Sequence, residues 1–481
     1  MNKQNQDFKR IKVLVIHALT EKSRLTTIQY VKSFGLHAAG CEVTYVNAMG
    51  INIDTLLEEE FDLGIATYEL LALRTVPFWP HLEKRITSLL SRCQSRVLLP
   101  QDDYTHTSRL DKLAVMANVN SIYTPLTKDL DQLYPRAISS GVSIHEALTG
   151  YIEDSSLKVM STFTLPMSKR KIDVGQRVRH LSPQFGLEAS RKGFLAENFA
   201  NRAIEAGFHV DVSSRAEDTF VGVSWLHFLA NCRFTISRKG GASIADPDGK
   251  LAERIYNKSA WHKDISDSSI QKLIKENEIR RGDFSAISPR LFEAAAMRVC
   301  QILEEDDYLG ILKPWEHYIP IAADFSNIQE VFSAMKDENL VNTVVENAYD
   351  ILIASGTYSY QTFVKGLISR EVVNSITSRE LQAIAIDLDS SICDNQKNSE
   401  QWQKWCKSYA RSAFLSGHID DALRCISEGK ILMLDDQEIF NDEISLDHLL
   451  ELQNWLKNIS VKRPFLESYT WGWRSTTYFN T

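Results

Sequence analysis

The chain has 481 residues, of which 44% are hydrophobic and 24% charged, with a formal net charge of −8 and an isoelectric point near 5.9. That length exceeds one ordinary core, so two or three globular domains are expected, and the acidic balance argues against a protein that coats nucleic acid. The seven cysteines are scattered without a CxxC pair and read as reduced thiols, with neither a zinc site nor a disulfide frame. Met1 to Arg10 is polar and lacks the apolar core of a signal peptide, and no run of about 18 apolar residues follows. A cytoplasmic protein is expected, and peripheral contact at the inner face of a membrane is compatible with the sequence.

Ile11 to Ile16, IKVLVI, is a short β-branched run with little alternation, the pattern of a strand buried on both faces of a parallel sheet. Thr26 to Ala39 has helical spacing, Gly40 ends it, and Glu42 to Val46 resumes a strand, giving a β-α-β unit. Further strands are predicted at Phe61 to Thr67, Arg96 to Pro100 and Asn120 to Thr124, with helices such as Pro80 to Leu90 between them. This is the plan of a doubly wound domain, whose ligands sit beyond the carboxyl ends of the strands. The loops His17 to Thr27 and Gln101 to Arg109 fall there. In the second, Asp102, Asp103 and His106 can polarise or deprotonate a hydroxyl, or bind a sugar; the alternative is that these polar groups only cap the following helix, the reading preferred for Asp111.

Periodicity blurs between Tyr151 and Ser168, and a domain boundary is placed near residue 155. Beyond it, Ala189 to Ala206 is helical, with Arg191 and Lys192 at its start and Arg177 and Arg179 in the preceding loop. Four cations near one helix N-terminus repel one another unless an anion is held among them, and a diphosphate is such an anion. Strands are predicted at His209 to Ser213 and Arg233 to Ser237, flanking a helix at Val221 to Ala230. The stretch Arg238 to Lys250 reads as a loop in which Gly240 and Gly241 permit close backbone approach to a sugar or phosphate, or as a plain surface loop closed by an Asp-Gly turn. Leu251 to Arg281, with its charged run IQKLIKENEIRR, reads as a partly helical surface excursion.

The segment DFSAISPRLFEAAAMR, Asp283 to Arg298, begins a helix abruptly, because Ser288 supplies a hydroxyl N-cap and Pro289 the first helical position. Its free N–H groups form a positive dipole end suited to phosphate, Glu293 lies in its first turns, and Ala294 to Ala296 allow close approach. A strand at Cys300 to Glu304, the pattern HYIPI and a helix capped by Asp-Phe-Ser-Asn follow.

The order SPRLFEAAA, strand, HYIP, DFSNIQEV resembles the donor-binding domain of GT-B glycosyltransferases related to the spore-maturation type and to group 1, over roughly Lys171 to Leu367. The resemblance implies an α/β fold of two Rossmann-like doubly wound domains facing a cleft, with boundaries at 1–155 and 156–370. A helical C-terminal extension at 371–481, carrying Trp402, Trp405, Trp455, Trp471 and Trp473, would pack partly back on the first domain. It also implies transfer of a sugar from a nucleotide-sugar donor to a glycan, lipid-linked or protein-linked hydroxyl acceptor, in synthesis of bacterial surface polysaccharide or glycoconjugates. Glu293 would hold the ribose hydroxyls, while Arg290, Lys192 and Arg177, or Arg179 in its place, would lie near the diphosphate, with Ser288 and Gly241 beside the donor. Asp103 or His106 would stand at the reacting centre. No metal or resident cofactor is implied, because cations and a helix dipole neutralise the leaving group, although Asp246-Pro247-Asp248 keeps a metal open. The sequence departs from the family at Ser285, where many retaining members have a second acid, and at Met297-Arg298, where many have glycine. A nucleotide-sugar epimerase of the same fold and a non-catalytic interaction module are the alternative functions.

Overall fold

The computed structural model describes residues 10–20, 23–50, 59–181, 183–215, 217–220, 223–261, 272, 280–372 and 384–387. The expected helical extension and its tryptophans lie outside these, apart from residues 371, 372 and 384–387.

The first sheet holds β1 (Ile11–His17), β2 (Cys41–Asn47), β3 (Phe61–Ala66), β4 (Cys93–Leu98), β5 (Ser121–Thr124) and β6 (Ser143–Glu146). All pair in parallel in the order β2-β1-β3-β4-β5-β6. Strands β1, β2 and β3 are too apolar to face water on either side, whereas β4 exposes Gln94 and the edge strand β6 exposes Ser143 and Glu146. Leu14 and Ile16 enter one core with Trp79, Leu82 and Leu110, and Val13 and Val15 enter another with Tyr30, Val31 and Phe34. The flanking helices include α1 (Leu25–His37), α2 (Trp79–Leu90) and α3 (Thr107–Met116).

After helix α4 (Asp154–Phe163) the chain forms a second parallel sheet from β7 (Ile172–Arg177), β8 (Val210–Ser213), β9 (Cys232–Ser237), β12 (Cys300–Glu304) and β13 (Ile319–Ile321). Its order is β8-β7-β9-β12-β13. Helices α5 (Leu187–Glu205), α6 (Val223–Ala230), α7 (Lys250–Trp261), α8 (Pro289–Ala296), α9 (Ile328–Ala334) and α10 (Glu338–Tyr349) belong to this half of the chain. In both sheets the strand order reverses beside the first strand, at β1/β3 and at β7/β9, which is where doubly wound sheets open a crevice for ligands. The architecture is the pair of Rossmann-like domains facing a cleft that the sequence implied.

Three features differ from the sequence reading. Residues 172–177, read as a loop from Gly175 onward, are strand β7. The loop expected at Arg238 to Lys250 begins as strand β10 (Gly240–Ala245), which pairs antiparallel with β11 (Arg280–Ala286) in a separate ribbon. Helix α11 (Tyr360–Glu371), drawn into the second domain by the boundary at 370, packs on the first. Tyr360, Val364, Leu367 and Ile368 join Tyr30, Val31 and Phe34 in one core, and β14 (Ile384–Asp387) adds to the edge of β2. Among the described residues no helix is long and apolar enough to cross a membrane.

Candidate functional site

Between the domains lies a cleft of about 370 Å³. The first domain contributes Arg24, Tyr68, Arg74, Gln101 and Asp102 to its walls; the second-sheet half of the chain contributes Gly240, Gly241, Phe284, Ser288, Pro289 and Glu293.

The mouth of α8 opens onto this cleft. Ser288 Oγ accepts from the Arg290 backbone N–H at 3.4 Å, so the hydroxyl cap read from the sequence is formed, with Pro289 at the first helical position. One turn in, half-buried Glu293 reaches the cleft, and its Oε2 accepts a hydrogen bond from the indole Nε1 of Trp225 at 2.7 Å. Burial raises the Glu293 pKa, opposed by the Arg290 cation and the indole donor. The Arg290 guanidinium lies over the Trp225 ring at 4.7 Å and donates to the backbone carbonyl of Arg177. Trp225 therefore holds both Glu293 and Arg290. No local pattern marked it, since it sits 68 residues before Glu293 on a different helix.

Lys192, in α5, faces Arg290 and Arg238. Burial, reinforced by those two cations, lowers its pKa to about 7. Among the described residues it makes no hydrogen bond or ion pair. The neighbouring Arg191 and Arg238 approach the same carboxylate, Glu304, at 3.3 and 3.5 Å. The cationic cluster expected here thus exists, with a different membership.

Arg177 does not belong to it. Its guanidinium is buried away from the cleft, donating to Asp211 Oδ1 at 2.8 Å, to the Asp211 carbonyl at 2.9 Å and to the Asp218 carbonyl at 3.0 Å, between the rings of Phe220 and Phe228. Those contacts hold it outside the cleft lining, so its place near a diphosphate is corrected to that of a structural tie. Arg179 donates to Thr219 Oγ1 at 3.3 Å.

Gly241 does line the cleft, but the close approach it permits is to protein. Its φ is +142°, and a Cβ there would meet the Phe284 carbonyl oxygen of β11 at 2.2 Å.

On the first-domain side two expectations are overturned. Asp103 is fully buried, accepting from Tyr134 Oη at 2.5 Å and Thr124 Oγ1 at 2.7 Å, which ties its loop to β5 and leaves no path to a substrate. His106 is also buried. Its ring packs on Gly249, its Nδ1 is paired with Thr105 Oγ1 at 3.0 Å, and burial beside Arg74 and Arg109 lowers its pKa to about 3. Neither residue lines the cleft. Asp102 does. It lies in the left-handed region at φ +50°, with its carboxylate exposed to the cleft and Oδ1 accepting from Tyr104 Oη at 3.0 Å. Surrounding protein raises its pKa, against the Tyr104 hydrogen bond and the Arg74 charge.

No family model matches the chain, and no curated protein matches it. Among solved structures it is similar to HepE of Anabaena in complex with UDP-glucose, at 10% identity over 75% of this chain and 100% of that one, with a TM-score of 0.39. It is likewise similar to sucrose-phosphate synthase of Thermosynechococcus elongatus, at 11% identity over 76% and 99% with a TM-score of 0.40. The catalytic domain of starch synthase IV of Arabidopsis thaliana, bound to ADP and acarbose, gives 10% identity over 76% and 100% with a TM-score of 0.43.

Proposed function

We propose that the protein is a glycosyltransferase that moves a sugar from a nucleotide-activated donor to a hydroxyl acceptor in the cleft between its two domains. The observation that carries this reading is the convergence at the mouth of α8 of three features a nucleotide sugar needs together. These are a carboxylate open to the cleft, a capped helix terminus, and a lysine among cations without an anionic partner among the described residues. Glu293 accepts from the vicinal hydroxyls of the ribose, with Arg290 and Lys192 at the diphosphate. Those cations and the helix dipole supply the charge that stabilises the leaving group, so no metal is required in the proposal. The acceptor, a glycan or a lipid-linked or protein-linked hydroxyl, approaches along the first-domain wall. Work on the cytoplasmic side of a membrane, in surface polysaccharide or glycoconjugate synthesis, is the corresponding setting.

Calorimetry with UDP, GDP and ADP tests the donor grip. Lys192→Ala should weaken diphosphate binding by about 2 kcal/mol, roughly 30-fold, and leave nucleoside binding unchanged, as expected for a charge-assisted contact to phosphate. Glu293→Ala should weaken nucleosides and diphosphates alike without lowering the thermal midpoint substantially. A wild-type protein that binds no nucleoside diphosphate would sink the reading. Transfer of radiolabel from donor to glycan or lipid-linked acceptors then separates transfer from epimerisation.

A further inference from the structure

Lys192 carries an amine that the fold leaves without a counter-charge. The buried carboxylate of this corner, Glu304 at the end of β12, is shared between Arg191 at 3.3 Å and Arg238 at 3.5 Å. Glu293 is held by the Trp225 indole and faces the Arg290 cation. Lys192 itself, in α5, faces Arg290 of α8 and Arg238 just after β9, and makes no hydrogen bond or ion pair among the described residues. The residue is half-buried, which leaves a small neutral molecule a route to it.

An amine so placed is driven toward its neutral, nucleophilic form. Burial first and the two guanidinium groups second lower its pKa to about 7. Near pH 7.5 roughly three-quarters of it then has a free electron pair, against about one part in a thousand for an ordinary lysine. The same two cations that disfavour an ammonium favour an anion in its place. An aldehyde would turn the amine into an imine and an acyl donor into an amide, neither of them negatively charged. Carbon dioxide turns it into a carbamate, which has the charge and the planar pair of oxygens that a guanidinium fork accepts.

We propose that Lys192 is a site of carbamate formation with carbon dioxide, the adduct being held between Arg238 and Arg290, where it competes with a nucleoside diphosphate for those cations. The competition rests on the nucleotide-binding reading above; the adduct does not. The Nζ electron pair bonds to the carbon of CO2, one C–O π pair moves onto oxygen, and an N–H proton leaves to solvent. Nothing is oxidised or reduced, and removal of carbon dioxide reverses the step. The side chain passes from a neutral amine to an anion, so the corner changes from one that attracts a diphosphate to one that is already filled.

Trapping tests the site directly. The protein is equilibrated near pH 7.5 with isotopically labelled carbon dioxide and bicarbonate, carbamates are ethylated with triethyloxonium ion, and the sites are located by peptide mass spectrometry with the N-terminal amine as reference. Lys192 should be labelled at least about tenfold more than any other lysine, given its larger neutral fraction. The label should vanish in Lys192→Met while the N-terminal amine keeps its own, and saturating UDP should lower it about tenfold in the wild type. No adduct at Lys192, or one spread evenly over the lysines, overturns the proposal. So does a loss of UDP affinity in bicarbonate without a trapped adduct, because the free anion then binds in its place. An adduct that bound UDP leaves undiminished overturns the competition. A wild type that forms the adduct and binds no nucleotide overturns the nucleotide-binding reading and leaves the carbamate standing.

Discussion

An ammonium set between two guanidinium groups is held there at a cost. Lys192 pays it through its pKa, lowered from 10.5 to about 7 by burial first and by Arg290 and Arg238 second. In the unfolded chain the same lysine stays protonated up to its ordinary range. Between about pH 7 and 10.5 the unfolded state therefore binds more protons than the folded one, and stability of the unliganded protein rises with pH across that window, the full penalty applying below it. A bound diphosphate reverses the balance by giving the charged form a partner. At pH 8, where the free protein holds Lys192 largely neutral, UDP binding should take up close to one proton; at pH 6 it should take up none through this residue. Calorimetric enthalpies measured in buffers of different ionisation enthalpy report the uptake, and Lys192→Met should abolish the difference at pH 8. Proton uptake that persists in the variant would place the titrating group elsewhere.

At the scale of elements, the β10–β11 ribbon belongs by sequence to the second half of the chain and by packing to the first domain. Ala242, Ala245 and Phe284 lie in the first domain's core. The backbone of Asp246 accepts from His106 N–H at 2.9 Å and donates to the Tyr104 carbonyl at 2.8 Å, and Lys128 pairs with Asp283 at 2.8 Å. Truncating Phe284 to alanine should cost about 3–5 kcal/mol, the usual range for a buried aromatic. Hydrogen exchange should then quicken in the ribbon and in Tyr104 to Ser108, while β9 of the second sheet keeps its protection. Equal acceleration in β9 would mean that the ribbon is anchored to the other domain. None of this was legible locally, since Gly240-Gly241 and Asp248-Gly249 are loop punctuation and the partner strand lies beyond an intervening helix. Legible were the features whose cause is local: apolar runs such as IKVLVI, and the Ser288-Pro289 helix start with Glu293 one turn in. In the loop after β4 the sequence offered Asp103 or His106 for the reacting centre, and both are buried away from the cleft. Adjacent acids 102 and 103 point to opposite sides of the chain, and which one enters the core is decided by Tyr134 and Thr124 from distant segments. Arg177 was misplaced for the same reason, because Asp211 and Asp218 lie across a sheet edge that spacing cannot reveal.

For the whole molecule, the chain leaves the first domain, builds the second, and returns. Helix α11 closes the circuit. Phe363 stacks on Tyr151 at 4.3 Å, and the Glu371 carboxylate, buried, accepts from Tyr123 Oη at 2.7 Å and Ser95 Oγ at 3.2 Å on β5 and β4. Tyr360, Val364, Leu367 and Ile368 are buried beneath it. At about 1.5–3 kcal/mol for each apolar side chain, these four contribute roughly 6–12 kcal/mol before the cost of ordering the helix, comparable to the whole stability of a domain. The first domain should therefore not hold its native packing without a segment that follows the second domain in sequence. A chain ending at Thr357 should lose its first cooperative unfolding transition and bind a hydrophobic dye, while the second sheet, whose cores contain no residue of α11, keeps its protection from exchange. A chain ending at Val372 should behave as the full protein does in the same scan. Were the two truncations to melt alike, with both transitions intact, α11 would be a surface drape, and the cleft wall formed by Tyr30, Tyr151 and Tyr360 would owe nothing to the returning chain.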